Sequence, residues 1–162
     1  MTYLIDGHNL IPHIPGLCLD QLDDEMELVT LLVNFSNKKK SQVEVYFDHG
    51  NFNSERDFQR GRVHAHFVLP PMIADNAMLS RLLGIGRAAK NYIVVTSDQI
   101  IQNRARRVGA AVMSSHNFAQ LLLNSINKNS RSHSGQKPAG NEKEIDEWLN
   151  LFNEGKSDPP KT

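Results

Sequence analysis

The sequence predicts an α/β fold built on a mostly parallel sheet. Segments with the pattern of β-strands alternate with segments whose apolar residues recur at helical spacing, which is typical of parallel strands in a layered sheet. The segment NYIVVTSD is apolar at successive positions, as expected for a strand that is covered on both faces. With 162 residues, 40% of them hydrophobic, the chain is long enough for one domain with a buried core.

Three elements are predicted in the first third of the chain. Residues 2–6 form a short apolar strand. Residues 21–36 form a helix, because an acidic first turn precedes apolar residues at helical spacing. The polar run KKKS then breaks the pattern, and QVEVYFDHG is predicted as the second strand.

The alternation continues up to residue 126. RVHAHFVLPP alternates as a strand and stops at two prolines. ADNAMLSRLLGIGRAAK is predicted as a helix, NYIVVTSD as a strand and QIIQNRARRVG as a helix that ends near Gly109. AAVMSS is then a short strand, and HNFAQLLLNSI is the last core helix.

The composition divides the chain into three parts. Residues 1–126 carry the predicted domain, and residues 127–141 are rich in Ser, Asn, Gly and Lys, as in a flexible linker. Residues 142–162 form a predicted C-terminal helix and tail. One face of this helix is apolar and carries Ile145, Trp148, Leu149 and Phe152. The sequence leaves two roles open for it, as a cap on the domain or as a helix that binds a partner.

Charge and cysteine content exclude several classes of protein. Lys+Arg and Asp+Glu number 18 each, so the net charge of +0 gives no bulk attraction to nucleic acid or membranes, and any basic surface must be local. Cys18 is the only cysteine, which excludes an intramolecular disulfide and a Cys-based zinc site. With no signal peptide and no apolar run of membrane-spanning length, a cytoplasmic location is expected.

Acidic residues recur where predicted strands end. Asp6, Asp48 and Asp98 each end a strand, and Asp75 precedes a helix. Each alone has an ordinary explanation, because Asp-Gly favours turns and Asp75 and Asp98 stand where a helix N-cap belongs. Together they would meet at the carboxyl edge of a parallel sheet, where ligands bind in such folds. Carboxylates that repel one another are usually held by a cation, and hard oxygen ligands favour Mg²⁺ or Mn²⁺ over zinc.

Four segments together resemble the bacterial YacP-like branch of the NYN family, which belongs with the PIN-like nucleases. They are LIDGHNLI, VYFDHG, IADNAMLSRL and IVVTSDQIIQNRARRVGAAVMSSHNFAQLL, and their order and spacing match the family over residues 2–125. The resemblance implies a PIN-like fold, a three-layer α/β/α sandwich around a mostly parallel sheet. It also implies metal-dependent cleavage of RNA.

The resemblance assigns roles to the four acids. The family acids correspond to Asp6, Asp75 and Asp98, which are expected to hold Mg²⁺ or Mn²⁺ and to serve catalysis. Asp48 corresponds to an acid often found after the second strand and is taken as a fourth catalytic residue. Hydrolysis of a phosphodiester needs an activated water and neutralisation of charge on the phosphate, and a bound metal ion supplies both.

Five further residues are expected to contact the substrate. Asn9 and Ser97 would position the RNA or orient a ligand, while His8, which stands where the family pattern has tyrosine, either touches phosphate or is a turn residue. Arg104 and Arg107 follow Asp98 on a helix and would hold phosphates, unless they only favour the helix C-terminus. An unpaired strand bends into a narrow acidic cleft more easily than a stiff duplex, so single-stranded or loop RNA is expected.

The function predicted from the sequence is therefore a ribonuclease, expected to be an endonuclease. A candidate from a different class is a catalytically idle PIN-like module that binds RNA or protein, although the intact acids argue against it. RNA is the expected partner. The ribosome or other RNA-processing machinery, and a second copy of the chain, are left open as further partners.

Overall fold

The computed structural model describes residues 1–19, 22–48 and 57–130, and it confirms the α/β sandwich. Its strands are β1 (Thr2–Asp6), β2 (Gln42–Asp48), β3 (Asp57–Arg60), β4 (Val63–Val68), β5 (Tyr92–Val95) and β6 (Ala111–Met113). The α-helices in this described part are α1 (Gly7–Leu10), α2 (Leu22–Lys39), α3 (Ala74–Ile85), α4 (Gln99–Arg107) and α5 (Ser115–Ser130). The predicted C-terminal helix lies outside the described residues, as does the predicted linker beyond residue 130.

The first strand of the chain is central in the sheet. The strand order is β3-β4-β2-β1-β5-β6, and every neighbouring pair is parallel except β3 with β4. Ile5 of β1 lies opposite Val45 of β2 on one side and Val95 of β5 on the other. The order of strands along the chain reverses at β1, and ligands bind at the carboxyl edge beside such a reversal. The residues that follow β1, β2 and β5 are therefore brought to one place.

Helices cover both faces of the sheet because successive residues of a strand point to opposite faces. On one face, Tyr3 and Ile5 of β1 pack with α2 and α5 around the fully buried rings of Phe35 and Phe118. On the other face, Leu4 packs with α3 and α4. The three layers predicted by the family resemblance are confirmed. The helix that carries Asp75 and the helix that follows Asp98 lie in one layer.

Two elements were not predicted from the sequence. Helix α1 begins directly after Asp6, in a segment where only a turn was expected. Strand β3 adds an antiparallel edge to the sheet. It has four residues and most of its side chains are exposed, so it lacks the alternation of apolar and polar residues that identifies a strand.

Three helices end at other residues than expected. Helix α2 ends at Lys39 rather than at residue 36. Helix α3 ends at Ile85 rather than near Lys90, because Gly86 adopts a left-handed φ of 60° and the chain continues as a 3-10 turn. Helix α5 continues to Ser130, through the first residues of the predicted linker. Among the helices of the described segments, none is both long enough and apolar enough to cross a membrane.

Candidate active site

Asp6 is the last residue of the central strand and is buried at the carboxyl edge of the sheet, with 6% of its surface exposed. Its Oδ1 accepts a hydrogen bond from the backbone N–H of Asn9 at 3.1 Å, and Asp6 thereby caps the short helix α1. Asp6 therefore has a local structural role, as a helix cap rather than in the turn expected of an Asp-Gly sequence. This cap requires only one carboxylate oxygen, so the other can serve a site.

Gly7 is explained by a close approach between elements. A Cβ at Gly7 would lie 2.3 Å and 2.4 Å from two ring carbons of Phe47 and 2.9 Å from the carbonyl oxygen of Tyr46. Contacts this short leave no room for a side chain. Glycine thus allows α1 to begin against β2 directly after β1 ends, and this brings Asp6 close to the end of β2.

Two further acids each hold the N-terminus of a helix. Asp48, at the end of β2, accepts a hydrogen bond through Oδ1 from the backbone N–H of Ala74, the first residue of α3. Asp98 caps α4, where its Oδ1 accepts from Ile100 N–H at 2.7 Å and from Ile101 N–H at 3.2 Å. The cap expected at Asp98 is confirmed. In each of the two acids, only Oδ1 makes these bonds.

Asp75 is the second residue of α3 rather than its N-cap, a position taken by Ile73, so the expectation of a cap at Asp75 is wrong. Its carboxylate interacts with the other acids instead. Burial raises the pKa of Asp75, and the negative charges of Asp98 and Asp48 raise it further, while a hydrogen bond with the Asp6 carboxyl acts in the opposite direction.

The pKa of Asp6 shows the same coupling more strongly. Burial is the main cause that raises the pKa of Asp6 to about 6, and the charges of Asp75 and Asp48 add to it. The backbone hydrogen bond from Asn9 and the charge of His8 lower this pKa but do not cancel the increase. The structure therefore brings Asp6, Asp48, Asp75 and Asp98 into one electrostatically coupled cluster, hereafter the acidic cluster.

The donor chemistry of the acidic cluster fits a hard cation. None of its four acids forms an ion pair with a lysine or arginine within the described residues. In the same part of the chain, no three His, Cys, Asp or Glu side chains already converge as a metal-binding group. Mg²⁺ is commonly bound through one or two carboxylates and keeps several waters, so a preformed set of three is not required. The assignment of Asp6, Asp75 and Asp98 as metal ligands stays a prediction.

The side chain of Asn9 is hydrogen-bonded to two other segments at the carboxyl edge. Its Oδ1 accepts hydrogen bonds from the backbone N–H of Ser97 and from the hydroxyl of Ser115, both at 3.1 Å. Ser97 is exposed and immediately precedes Asp98, whereas Ser115 is fully buried at the start of α5. The amide oxygen of Asn9 thus fixes the loop that carries Asp98 relative to β1. This geometry favours orientation of a ligand as the role of Asn9.

His8 connects α2 to the end of β2. The backbone N–H of Asp48 donates to His8 Nδ1 at 3.3 Å, which places the ring proton on Nε2, and Nε2 donates to Glu25 Oε1 at 2.7 Å. The hydrogen bond to Glu25 raises the pKa of His8, although burial opposes it. Both ring nitrogens are engaged, and the ring also packs against Phe47. Contact of His8 with RNA stays a prediction.

The arginines expected to hold phosphate are not gathered at the acidic cluster. A further arginine, Arg81 of α3, forms a bidentate ion pair with Glu44, at 2.9 Å through Nε and 3.0 Å through Nη2. Arg104 and Arg107 lie about 9 and 14 Å along α4 from Asp98, at 1.5 Å per residue. There they line a groove against α3. Their role in RNA binding stays a prediction.

Sequence reasoning missed two buried polar residues that position Asp98. The hydroxyl of Thr96 accepts a hydrogen bond from the Asp98 N–H at 3.2 Å, and the carbonyl of Thr96 accepts one from the Gln102 side chain at 2.7 Å. Both residues are buried. The available signal is Gln102 itself, a polar residue beside Ile101 on the buried face of α4, since such a residue needs a specific partner.

Comparison with protein families identifies the family of this chain. The sequence matches the family model of the YacP-like NYN domain over residues 3–154. The chain belongs to the YacP-like NYN domain family. The resemblance found in the sequence is thereby confirmed. Among curated protein sequences, none matches this YacP-like NYN domain.

Solved structures confirm the fold of this YacP-like NYN domain. The crystal structure of Rae1 (YacP) from Bacillus subtilis is similar with a TM-score of 0.65 at 22% sequence identity, covering 96% of this chain and 94% of that one. A mutant of the same protein gives a TM-score of 0.62 at 19% identity, with 94% and 92% covered. At these identities the likeness establishes a shared fold. Membership of the PIN-like nuclease superfamily implies an RNase-like function, with RNA as the class of substrate.

Proposed function

We propose that this protein is a metal-dependent ribonuclease that cuts single-stranded or loop RNA internally by hydrolysis of the phosphodiester bond. One observation carries the proposal. The carboxyl of Asp6 is buried at the sheet edge, where the charges of Asp75 and Asp48 act on it, and its pKa is about 6. Such an arrangement costs stability by itself, and perturbed carboxylates of this kind concentrate at sites where charge is needed for function.

The four acids of the acidic cluster have different proposed roles. Asp6, Asp75 and Asp98 are the proposed ligands of Mg²⁺ or Mn²⁺, directly or through water. When bound, the metal ion supplies an activated water and neutralises charge on the phosphate. Asp48 holds the start of α3 and so fixes the position of Asp75. A carboxylate with the pKa of Asp6 is mostly ionised at neutral pH and is close to the pKa at which proton transfer to and from water is efficient.

Helix ends at the same edge favour a bound phosphate. Helices α3, α4 and α5 each begin at the carboxyl edge, because each follows one strand and leads away from that edge. Their N-termini carry partial positive charge and orient backbone N–H groups toward the site. Ser97 is exposed directly before Asp98, so its hydroxyl is the proposed contact to a phosphate oxygen, while Asn9 holds the Ser97 backbone in place.

Two exposed apolar side chains support an unpaired substrate. Ile73 precedes α3 and is 47% exposed, and Ile100 lies in the first turn of α4 and is 63% exposed. Ile73 directly precedes Ala74, whose N–H donates to Asp48, and the N–H of Ile100 itself donates to Asp98. Bases of a single strand present apolar faces that such side chains can contact, whereas a duplex keeps those faces stacked inside.

Circular single-stranded RNA tests the proposal, because only an endonuclease can cut it. We expect cleavage with Mg²⁺ or Mn²⁺ and none with a chelator. Asp98→Asn should lower the rate by about two orders of magnitude or more, since charge stabilisation by a held metal is worth several kcal/mol. Asparagine is also a good N-cap, so the melting temperature should hold. Asp23→Asn, an exposed acid in the first turn of α2, is the matched control.

The alternative is an idle module that binds RNA or protein. It predicts RNA binding that is unchanged by divalent cations and by Asp98→Asn, with no cleavage under any condition. Full cleavage activity in purified Asp98→Asn would remove that residue from the mechanism. We propose a cytoplasmic setting. Comparing the cleavage rate of free RNA with that of the same RNA on ribosomes then tests whether the ribosome or other RNA-processing machinery presents the substrate. Light scattering tests for a homo-oligomer.

A further inference from the structure

A groove of about 350 Å³ runs between α3 and α4 outside the acidic cluster. Its lining is mostly apolar and is formed by Leu79, Leu82, Leu83, Arg104, Arg107 and Val108. Leu83 is 67% exposed and lies beside Leu79 and Leu82 in this lining, so the apolar surface is contiguous. This groove, the α3–α4 groove, therefore presents apolar surface flanked by two positive charges.

The α3–α4 groove lies toward the C-terminal ends of α3 and α4, whereas the acidic cluster lies at their N-terminal ends. Both helices begin at the carboxyl edge of the sheet and run back toward its amino edge, since each leads into a parallel strand. Leu83 lies in the last turn of α3, and Arg107 and Val108 lie at the end of α4. The groove is therefore separate from the proposed catalytic site.

The chain itself contains a segment with complementary chemistry. Residues 142–154, EKEIDEWLNLFNE, carry apolar residues at the spacing of one helix face, namely Ile145, Trp148, Leu149 and Phe152. The same residues contain five acids and one lysine. An apolar stripe within an acidic helix matches an apolar groove flanked by arginines, as in the binding of amphipathic helices to grooves.

We propose that the α3–α4 groove is the docking site of the protein's own C-terminal segment, residues 142–154. Leu83 and its neighbours receive the apolar face, and Arg104 and Arg107 face the acids beside it. Helix α5 runs back from the carboxyl edge, so Ser130 and the groove are at the same end of the sheet. At about 3.3 Å per residue, residues 131–141 can span roughly 36 Å, which exceeds the roughly 20 Å between helix layers on opposite faces of a sheet.

The docked segment would contact both α3 and α4. The first turn of α3 carries Asp75, and α4 begins directly after Asp98. This inference does not depend on nuclease activity, because it concerns the opposite end of α3 and α4. It also gives Arg104 and Arg107 a partner other than RNA. The two roles for these arginines are separable by experiment.

Trp148 is the only tryptophan of the chain, so its fluorescence reports on this segment alone in the full-length protein. We expect blue-shifted emission, protected from acrylamide, in the wild type. Leu83→Asp should shift the emission to longer wavelength and increase quenching, while circular dichroism shows that the fold is kept. Met26→Asp is the matched control, since Met26 is 42% exposed on α2, on the other face of the sheet. Equal emission in wild type and Leu83→Asp overturns the proposal.

Charge reversal tests the proposed arginine contacts. Arg104→Glu with Arg107→Glu should also shift the emission of Trp148 to longer wavelength, and adding Glu144→Lys with Glu147→Lys should restore it. A double arginine variant that leaves the emission unchanged but weakens RNA binding would assign the arginines to RNA and overturn the proposal.

A cysteine pair distinguishes the occupants of the groove. In a Cys18→Ser background, Leu83→Cys and Leu149→Cys should form a disulfide within one chain on mild oxidation, seen as a reducible monomer band of altered mobility. A disulfide only between chains would assign the groove to a second copy. Absence of any disulfide would leave the groove to a separate partner. Either of these two results overturns docking of the segment on its own domain.

Discussion

Replacing Asp6 by asparagine should stabilise the protein in the absence of metal ions. Burial and neighbouring charges raise the pKa of Asp6 to about 6, from its ordinary value of 3.8. A difference of about two pKa units corresponds to about 3 kcal/mol, at 1.36 kcal/mol per unit. Asparagine removes this cost and keeps an oxygen that can accept the hydrogen bond from Asn9. Because that bond is stronger to a charged acceptor, we expect a net gain of about 1–3 kcal/mol.

The gain should depend on pH in a defined direction. Between about pH 4 and pH 6, the folded protein keeps a proton on Asp6 that the unfolded chain has released, so stability falls as the pH rises through this window. The cost of Asp6 is fully present above about pH 6 and absent below about pH 4. The difference between Asp6→Asn and wild type should therefore be large at about pH 7.5 and vanish at about pH 4.

Thermal unfolding with a chelator present measures this difference. For a domain of this size, about 1–3 kcal/mol corresponds to a rise in melting temperature of roughly 3–9 °C. Adding Mn²⁺ should then stabilise the wild type but not Asp6→Asn. Asp23→Asn controls for the loss of one negative charge at an exposed position. If Asp6→Asn melts lower than wild type at neutral pH, or gains equally at acidic pH, the electrostatic reasoning is refuted.

Three further predictions concern the surroundings of the acidic cluster. Gly7→Ala should destabilise the fold by about 2 kcal/mol or more through overpacking against β2, as measured by urea unfolding. Asn9→Ala should cost about 2 kcal/mol because the Ser97 N–H and the buried Ser115 hydroxyl lose their acceptor, and the cleavage rate should fall as well; Ser115→Ala should cost less. Ile100→Ser should weaken binding of single-stranded RNA by about fivefold, or about 1 kcal/mol, without changing Mn²⁺ binding; unchanged RNA affinity would remove this apolar contact from the site.

The parallel layered fold could be predicted because it depends on patterns that are local in the sequence. The run from Tyr92 to Val95 is apolar at successive positions, a pattern that is typical of a strand covered on both faces. Once parallel strands are predicted, acids at their carboxyl ends must share an edge. The coupling of Asp6 with Asp48 is expected from this rule, and Asp75 joins them because α3 begins at the same edge.

Other features depend on contacts between distant parts of the chain and could not be predicted. The side-chain oxygen of Asn9 accepts a hydrogen bond from Ser115, 106 residues later, and nothing in the sequence near either residue indicates this pair. The Asp-Gly pair suggested a turn, whereas the close approach of the Phe47 ring is what requires Gly7. Arg107 was expected near the acids because its helix follows Asp98. A helix also carries its later residues away from the edge where it begins.

The central position of β1 also constrains when the site can form during synthesis. The strand that carries Asp6 is made first, yet its sheet partners are β2 and β5, and Asn9 is locked by a serine that begins α5. A nascent chain that has emerged only as far as β4 has neither the second neighbour of its central strand nor Asp98. The acidic cluster is therefore completed only when nearly the whole domain has left the ribosome, and an unfinished chain cannot hold the arrangement on which cleavage would depend.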